Sequence, residues 1–581
     1  MTGPAKTDPS DIPFGPADTP WQKAFSGLRT LDGMPTVTPP SSDPREIYDD
    51  VPGIAYAGFQ LPACGLTVEQ YTAAESLLRA HLQRQCRNSV GFQLNGDLDY
   101  QHRLAPYLDL PVNNAGDPYR TGSVTHNTKI LERAVLDYFA SLWNARWPHR
   151  DDDPESYWGY TLTMGASEGN LYALWNAREY LSGNPLLHPT PGPPVPGTAR
   201  NTPAAAHREQ DSDAFHPVVL FSEDTHYSVT KATRLLGLDT MRSLGERRFP
   251  GENPLGPGIP WPAAVPSAGG GEGDPGGDGD GDGTVDVDRL AVIVRFFASR
   301  GFPVIVNLNY GSAFKGAYDD VAAAARVVHD ICAEYGLDER HVDHGDHGDH
   351  GGHGGPDRPG GSGPTDVRTG YWLHVDGALG AGYAPYLRMA HQAGLVAAAP
   401  PLFDFRLPQV HSITTSGHKW LGAPWPCGVY LTRTRLRMLP PADSEYIGSA
   451  DTTFGGSRNG FSPLVMWDQL ARRSYDDQIR AAVECDRLAG YAHDRLRDLQ
   501  AESGRDLWVA RSPCSLAVRF RRPSASIVTR YSLSCETTRV AGLARPYAHL
   551  YAMRHVTRDL IDALIRDLAA PGAFPPESTT A

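Results

Sequence analysis

Apolar residues recur at helical spacing in two early stretches, TVEQYTAAESLLRAHLQRQ (67–85) and HNTKILERAVLDYFASLWNAR (126–146). In the second, Ile130, Leu131, Val135, Leu136, Phe139 and Leu142 make a stripe that predicts an amphipathic helix. Downstream the period changes. YWGYTLTMGASEGNLYALWNAREYL (157–181) reads as a strand, a Gly/Ser turn and a helix of good formers. Unbroken apolar runs follow at PVVLFS (217–222), FPVIVNLN (302–309) and YWLHVD (371–376), separated by helical segments such as 286–301 and 318–336. Strands of this kind alternating with helices predict an α/β fold whose mainly parallel sheet is covered on both faces.

After about residue 440 the pattern shifts again. Helical periodicity at 464–500 and 555–568 flanks strand candidates at 515–523 and 548–555, which predicts a smaller C-terminal α+β domain. The expected organisation is a disordered tail at 1–45, a helical segment at 46–130, a large domain at 131–440, a small domain at 441–570 and a tail at 571–581. Three inserts interrupt it: a Pro/Ala-rich one at 183–215, an Asp/Gly-rich one at 263–286 and a His/Asp/Gly-rich one at 341–366. Their carboxylates and imidazoles are cation-binding groups, but the simple repeats lack the fixed spacing of a tight site, so no metal centre is expected.

Charge and composition narrow the function. A net charge of −14 over 581 residues argues against a nucleic-acid backbone as partner. The seven scattered cysteines suit a reducing compartment. The first twenty residues lack the apolar core of a signal peptide, and no segment approaches the ~18 apolar residues of a membrane span. A cytoplasmic protein without a membrane partner is expected. Only six lysines occur among 53 basic residues. One of them, Lys419, stands in HSITTSGHKWLGAPWPCGVYL (411–431), between a polar turn and a buried-strand pattern.

Three other pieces fall at strand ends, where α/β proteins place ligands. GASEGN (165–170) is a small-residue turn opening a helix, suited to a phosphate. EDTHYSVTKA carries His226 just after a strand, and HVDGALGAGY carries Asp376 at the end of another. A phosphate cradle, a buried Asp, a His able to stack on a ring and a strand-end Lys are the parts of a pyridoxal 5'-phosphate enzyme.

The blocks NNAGDPY (113–119), YWGYTLTMGASEGN, THYSVTKA, HVDGAL, SGHKWLGAPWPCGV and SRNGFSPLVMW (457–467) together resemble the group II pyridoxal-phosphate-dependent amino-acid decarboxylases, most closely their histidine/serine decarboxylase branch. The resemblance implies fold type I, the aspartate-aminotransferase-like architecture with a seven-stranded sheet. It also implies a homodimer with a shared active site, wrapped by the 46–130 segment, and an L-amino acid as substrate. Lys419 would form the Schiff base, Asp376 would pair with the pyridine nitrogen, and His226 and Ala378 would lie against the ring faces. Ala166, Ser167, Ser416 and His418 would hold the phosphate. Ser312, in NYGSAFKGA, takes the place of a family threonine near the ring oxygen. Asn114, Tyr446 and Phe461 are the candidates for the substrate pocket.

One departure bears on specificity. The branch usually has SRNGH where this chain has Phe461. An apolar ring there favours an aliphatic substrate, valine or leucine, over histidine or serine. An oxidative relative of the reaction, yielding an aldehyde, is the other alternative.

Overall fold

The computed structural model describes Ile47, Val51 and residues 53–62, 65–188, 213–269, 281–343, 365–440, 445–540 and 543–575. The expected disordered tail at 1–45, the centres of the three inserts and the end of the C-terminal tail lie outside these residues. The chain forms two compact units, one holding residues up to Ser89 with Arg530–Ser532, the other Val90–Thr529 and Leu533 onward. In the first, helix α1 (Val68–Asn88) opens on a capping box in which Thr67 Oγ1 accepts from Gln70 N and Gln70 Oε1 from Thr67 N. Tyr71, Leu78 and Leu82 stand exposed on it.

In the second unit the helices used below are α2 (Lys129–Leu142), α3 (Ala166–Leu181), α4 (Tyr227–Leu236), α5 (Val287–Ala298), α6 (Val321–Glu334), α7 (Gly380–Gln392), α8 (Phe461–Ala471), α9 (Tyr475–Ser503) and α10 (Arg558–Ala569). The strands are β1 (Tyr157–Leu162), β2 (Val218–Phe221), β3 (Asp239–Thr240), β4 (Val304–Asn309), β5 (Arg340–Asp343), β6 (Thr365–Arg368), β7 (Tyr371–Asp376), β8 (Val410–Ser416), β9 (Gly428–Arg433), β10 (Ala517–Arg521), β11 (Ser534–Val540) and β12 (Leu543–Tyr551). Seven form one sheet in the order β1-β9-β8-β7-β4-β2-β3. The four neighbouring pairs from β8 to β3 are parallel, while β9 runs antiparallel to β8 and β1. Every residue of β4, β7, β8 and β9 is buried, so helices cover both faces. This is the expected α/β sheet. The core joins Leu174 and Tyr180 of α3 to Val219, Ile305 and Trp372 of three strands.

Some readings need correction. Ile130, assigned to the apolar stripe, is 75% exposed, while Lys129 and Glu132 on the same helix are buried because internal polar partners receive them. The 464–500 segment is two helices, since Ser474 caps α9 with its own hydroxyl on Asp477 N. β11 escaped notice because its SCETTRV sequence carries few apolar residues. The flanks of the His-rich insert pair as an antiparallel β5–β6 hairpin. β10, β12 and β11 form a separate three-stranded antiparallel sheet. No helix among the described residues is long and apolar enough to cross a membrane.

Candidate active site

The parallel strands all point their C-terminal ends at one edge of the sheet. There the chain gathers Lys419, three residues past β8, with Asp376 at the end of β7, Asn309 at the end of β4, Ser312 just beyond it, and His226 in the turn after β2. They line a cavity of about 210 Å³. Ala166, Ser167, Ala378, Ser416 and His418 line it too. Nine of the twelve residues singled out from the sequence therefore meet in one place.

Lys419 Nζ donates to Gln93 Oε1. Burial pushes the amine down to about 8, against the opposing pull of the Asp376 carboxylate. The Asp376 carboxylate accepts from Asn170 Nδ2 at 2.7 Å and from Ala378 N at 3.2 Å. Among the described residues no arginine or lysine lies within ion-pair distance of it. A buried carboxylate held by two neutral donors and bordering a cavity suits a cationic nitrogen arriving from outside. His226 caps α4, its ring nitrogen accepting from Ser228 N at 3.3 Å. Burial lowers its pKa, with Lys419 and Lys231 adding to the fall and Asp376 opposing it.

The opposite end is built to take an anion. Buried Glu168 accepts from Thr163 N at 2.7 Å and Met164 N at 2.9 Å, which folds the turn back before α3. Gly165 sits at φ +68, and a Cβ there would lie 2.6 Å from His418 Cε1 and 3.2 Å from Ser416 Oγ. Only glycine fits that conformation and that space. The N-terminus of α3 is thereby brought against the Ser416–His418 turn, with Ala166 N donating to Ser416 Oγ at 2.9 Å. Burial, with Lys419 adding to it, takes His418 down to about 4 and leaves it a neutral donor or acceptor. Cation-accepting carboxylate, anion-accepting helix end and amine share one cavity, and together they fit pyridoxal phosphate.

The three pocket candidates do not join them within the chain. Asn114 is fully buried with its amide spent: Nδ2 donates to Glu132 Oε2 at 2.9 Å, and Oδ1 accepts from Thr128 N at 2.8 Å. Tyr446 is 83% exposed. Phe461 opens α8 with its ring edge-on to Trp425 at 6.4 Å. Conversely, the sequence reading missed Gln93, Asn170 and Tyr551. Asn170 ends the GASEGN block and was within reach of the same argument. Gln93 and Tyr551, whose side chains bond at 2.7 Å, carry no local signal because they are 458 residues apart.

The comparisons point to the same cofactor. Residues 280–497 match the pyridoxal-dependent decarboxylase conserved domain. The crystal structure of L-methionine decarboxylase from Streptomyces sp. 590 is 43% identical, with a TM-score of 0.80, covering 90% of this chain and 98% of that one. Histidine decarboxylase of Solanum lycopersicum is 27% identical over 84% of this chain and 86% of its own. Serine decarboxylase 2 of Oryza sativa is 26% identical over 84% and 76%. A relative this similar along nearly its whole length, over a site that can receive the same cofactor, places the chain in the family of pyridoxal-phosphate-dependent amino-acid decarboxylases.

Proposed function

We propose that the chain decarboxylates a neutral, apolar L-amino acid, methionine ahead of leucine and valine, releasing CO2 and a primary amine, with Lys419 as the covalent anchor of the cofactor. The observation that carries the site assignment is that the Lys419 amine and the Asp376 carboxylate face one cavity with the N-terminus of α3 beside them. For the substrate, the support is the relative at 43% identity, which acts on methionine, whereas those acting on histidine and serine share 27% and 26%. The expectation of valine or leucine rested on Phe461, which is not part of this cavity.

Bound pyridoxal phosphate supplies an electron sink for the pair left behind as CO2 departs. The protein does the rest. Lys419, with its pKa near 8, offers a substantial neutral fraction for attachment. Asp376 would hold a proton at the ring nitrogen of the bound cofactor, while His226 and Ala378 would lie against its ring. Ala166, Ser167, Ser416 and His418 would hold the phosphate, and Ser312 would stand near the ring oxygen. With the cofactor so held, the protein's contribution to decarboxylation would be to orient the substrate's carboxylate bond for its departure.

We further infer a cytoplasmic homodimer, with 131–440 as the cofactor domain, 441–570 as the small domain and 46–130 wrapping the partner. In its support, Met164 and Tyr227 at the cavity are 53% and 61% exposed, and an apolar substrate needs a drier wall than that. The six described cysteines are unpaired, as a reducing compartment requires. Under this reading Tyr446 and Phe461 touch substrate only from the partner chain; sedimentation of the purified protein checks the dimer.

The test of function is incubation with pyridoxal phosphate and each of the twenty amino acids, with amines identified by mass spectrometry. Dominant 3-methylthiopropylamine supports the proposal, and isobutylamine or isopentylamine restores the branched-chain reading. Histamine or ethanolamine overturns the apolar class. An aldehyde with hydrogen peroxide in place of an amine means the oxidative reaction.

A further inference from the structure

Behind Asp376 runs a chain of buried polar groups in which every proton can be assigned. His374 and Asp376 lie two residues apart on β7, on the same face of the sheet, and Ser412 on β8 pairs with His374 in register. Asn170 reaches them from α3. Its Nδ2 donates to Asp376 Oδ2 at 2.7 Å and to Ser228 Oγ at 2.9 Å. The reverse amide orientation would set Oδ1 against a carboxylate. Both amide protons are thus spent and Oδ1 must accept, so His374 Nε2, 3.0 Å away, carries a proton.

Burial takes His374 down to about 4, so the ring is neutral and Nδ1 accepts from Ser412 Oγ at 2.8 Å. Ser412 Oγ in turn accepts from Trp372 Nε1 at 3.1 Å. A second branch leaves Asn170 through Ser228. Having accepted from Asn170, Ser228 Oγ donates to His226 Nδ1 at 2.8 Å. His226 therefore keeps its proton on Nε2.

We propose that Asn170 and His374 are positioning residues, one hydrogen-bonded unit that fixes the Asp376 carboxylate and, through Ser228, the tautomer of His226. Asn170 is the only member that touches both branches. No other natural side chain of its size offers two donors and one acceptor in one plane. An aspartate would set a second anion beside Asp376, and a leucine would strand the His374 N–H. Asn170, Ser228, Trp372, His374 and Ser412 are each no more than 5% exposed, so water cannot replace a lost partner.

This inference rests on the assignment of Lys419 and Asp376 above, and the test separates the two. Apoproteins of Asn170→Ala, His374→Leu, His374→Gln and Lys419→Ala are titrated with pyridoxal phosphate, and the absorption of the bound cofactor, kcat and KM are measured. Asn170→Ala and His374→Leu are expected to weaken cofactor binding, alter its absorption and lower kcat about 10- to 100-fold with KM little changed. His374→Gln, which keeps a donor toward Asn170, should recover much of the loss. The double variant should cost no more than the worse single one, since both break one unit.

Unchanged absorption and kcat in Asn170→Ala, or fully additive losses, overturn the relay. Should Asn170→Ala fail to fold, Ser228→Ala and Ser412→Ala each remove one link with little volume, and wild-type absorption in both overturns it equally. If Lys419→Ala still anchors the cofactor covalently, the site assignment itself falls.

Discussion

Two of this protein's buried carboxylates, Glu132 and Asp376, are held in opposite ways. Glu132, on α2, accepts from Thr161 N and Thr161 Oγ1 at 2.9 Å each, from Asn114 Nδ2 at 2.9 Å and from Arg458, which is itself buried. Its charge is cancelled within the chain, and the cluster ties α2, β1 and the start of α8 together. Asp376 has only neutral donors, Asn170 and the Ala378 amide, and borders a cavity. Of these two, Glu132 is structural because its counter-ion is built in, whereas Asp376, at the rim of a cavity, is left without one.

The sharpest way to break this comparison is to neutralise each carboxylate. Asp376→Asn should lower kcat at least about 100-fold while the thermal midpoint barely moves, because no internal cation is orphaned. Glu132→Gln should do the reverse. It strands the Arg458 guanidinium and is expected to cost about 3–5 kcal/mol in urea unfolding, with kcat of the folded enzyme nearly unchanged. Equal effects in both assays would erase the distinction.

A second prediction concerns pH. The amine of Lys419 is depressed to about 8, so capture of pyridoxal phosphate by the apoprotein should speed up as pH rises through 8 and level off above it, well short of 10. Asp376 favours the charged amine; in Asp376→Asn the midpoint should move to lower pH. Stopped-flow absorbance at several pH values measures both. The smallest effect is expected from Tyr551→Phe. The Tyr551 hydroxyl lies 2.7 Å from Gln93 Nε2 and 3.1 Å from Ala313 O. Its loss should cost about 1 kcal/mol of transition-state stabilisation, roughly fivefold in kcat/KM, by loosening the side chain that meets Lys419.

How much of this was legible in the sequence follows from the range of the interactions. β4 and β7 announce themselves as apolar runs because both faces are buried, and the residues at their ends fall at the site by topology alone, whereas β8 (VHSITTS) is equally buried but carries few apolar residues. Lys419, Asp376 and His226 could be picked out because each sits in an ordered block. Asn114 sits in such a block too, yet its amide serves Glu132, a partner that block spacing does not reveal. Phe461 was read as pocket lining from one substitution; within the chain its ring lies edge-on to Trp425, away from the cavity lining. Pairings such as Gln93 with Tyr551 depend on the whole tertiary fold, and no local pattern encodes them.

That last pairing also has a bearing on how the enzyme comes into being. Gln93 meets Lys419 across 326 residues and Tyr551 across 458, so the side chain that touches the amine is fully held only after β12 has been made. A nascent chain halted before β12 would hold the lysine without that setting. The Lys419–Gln93–Tyr551 contact is therefore complete only once β12 has joined its sheet.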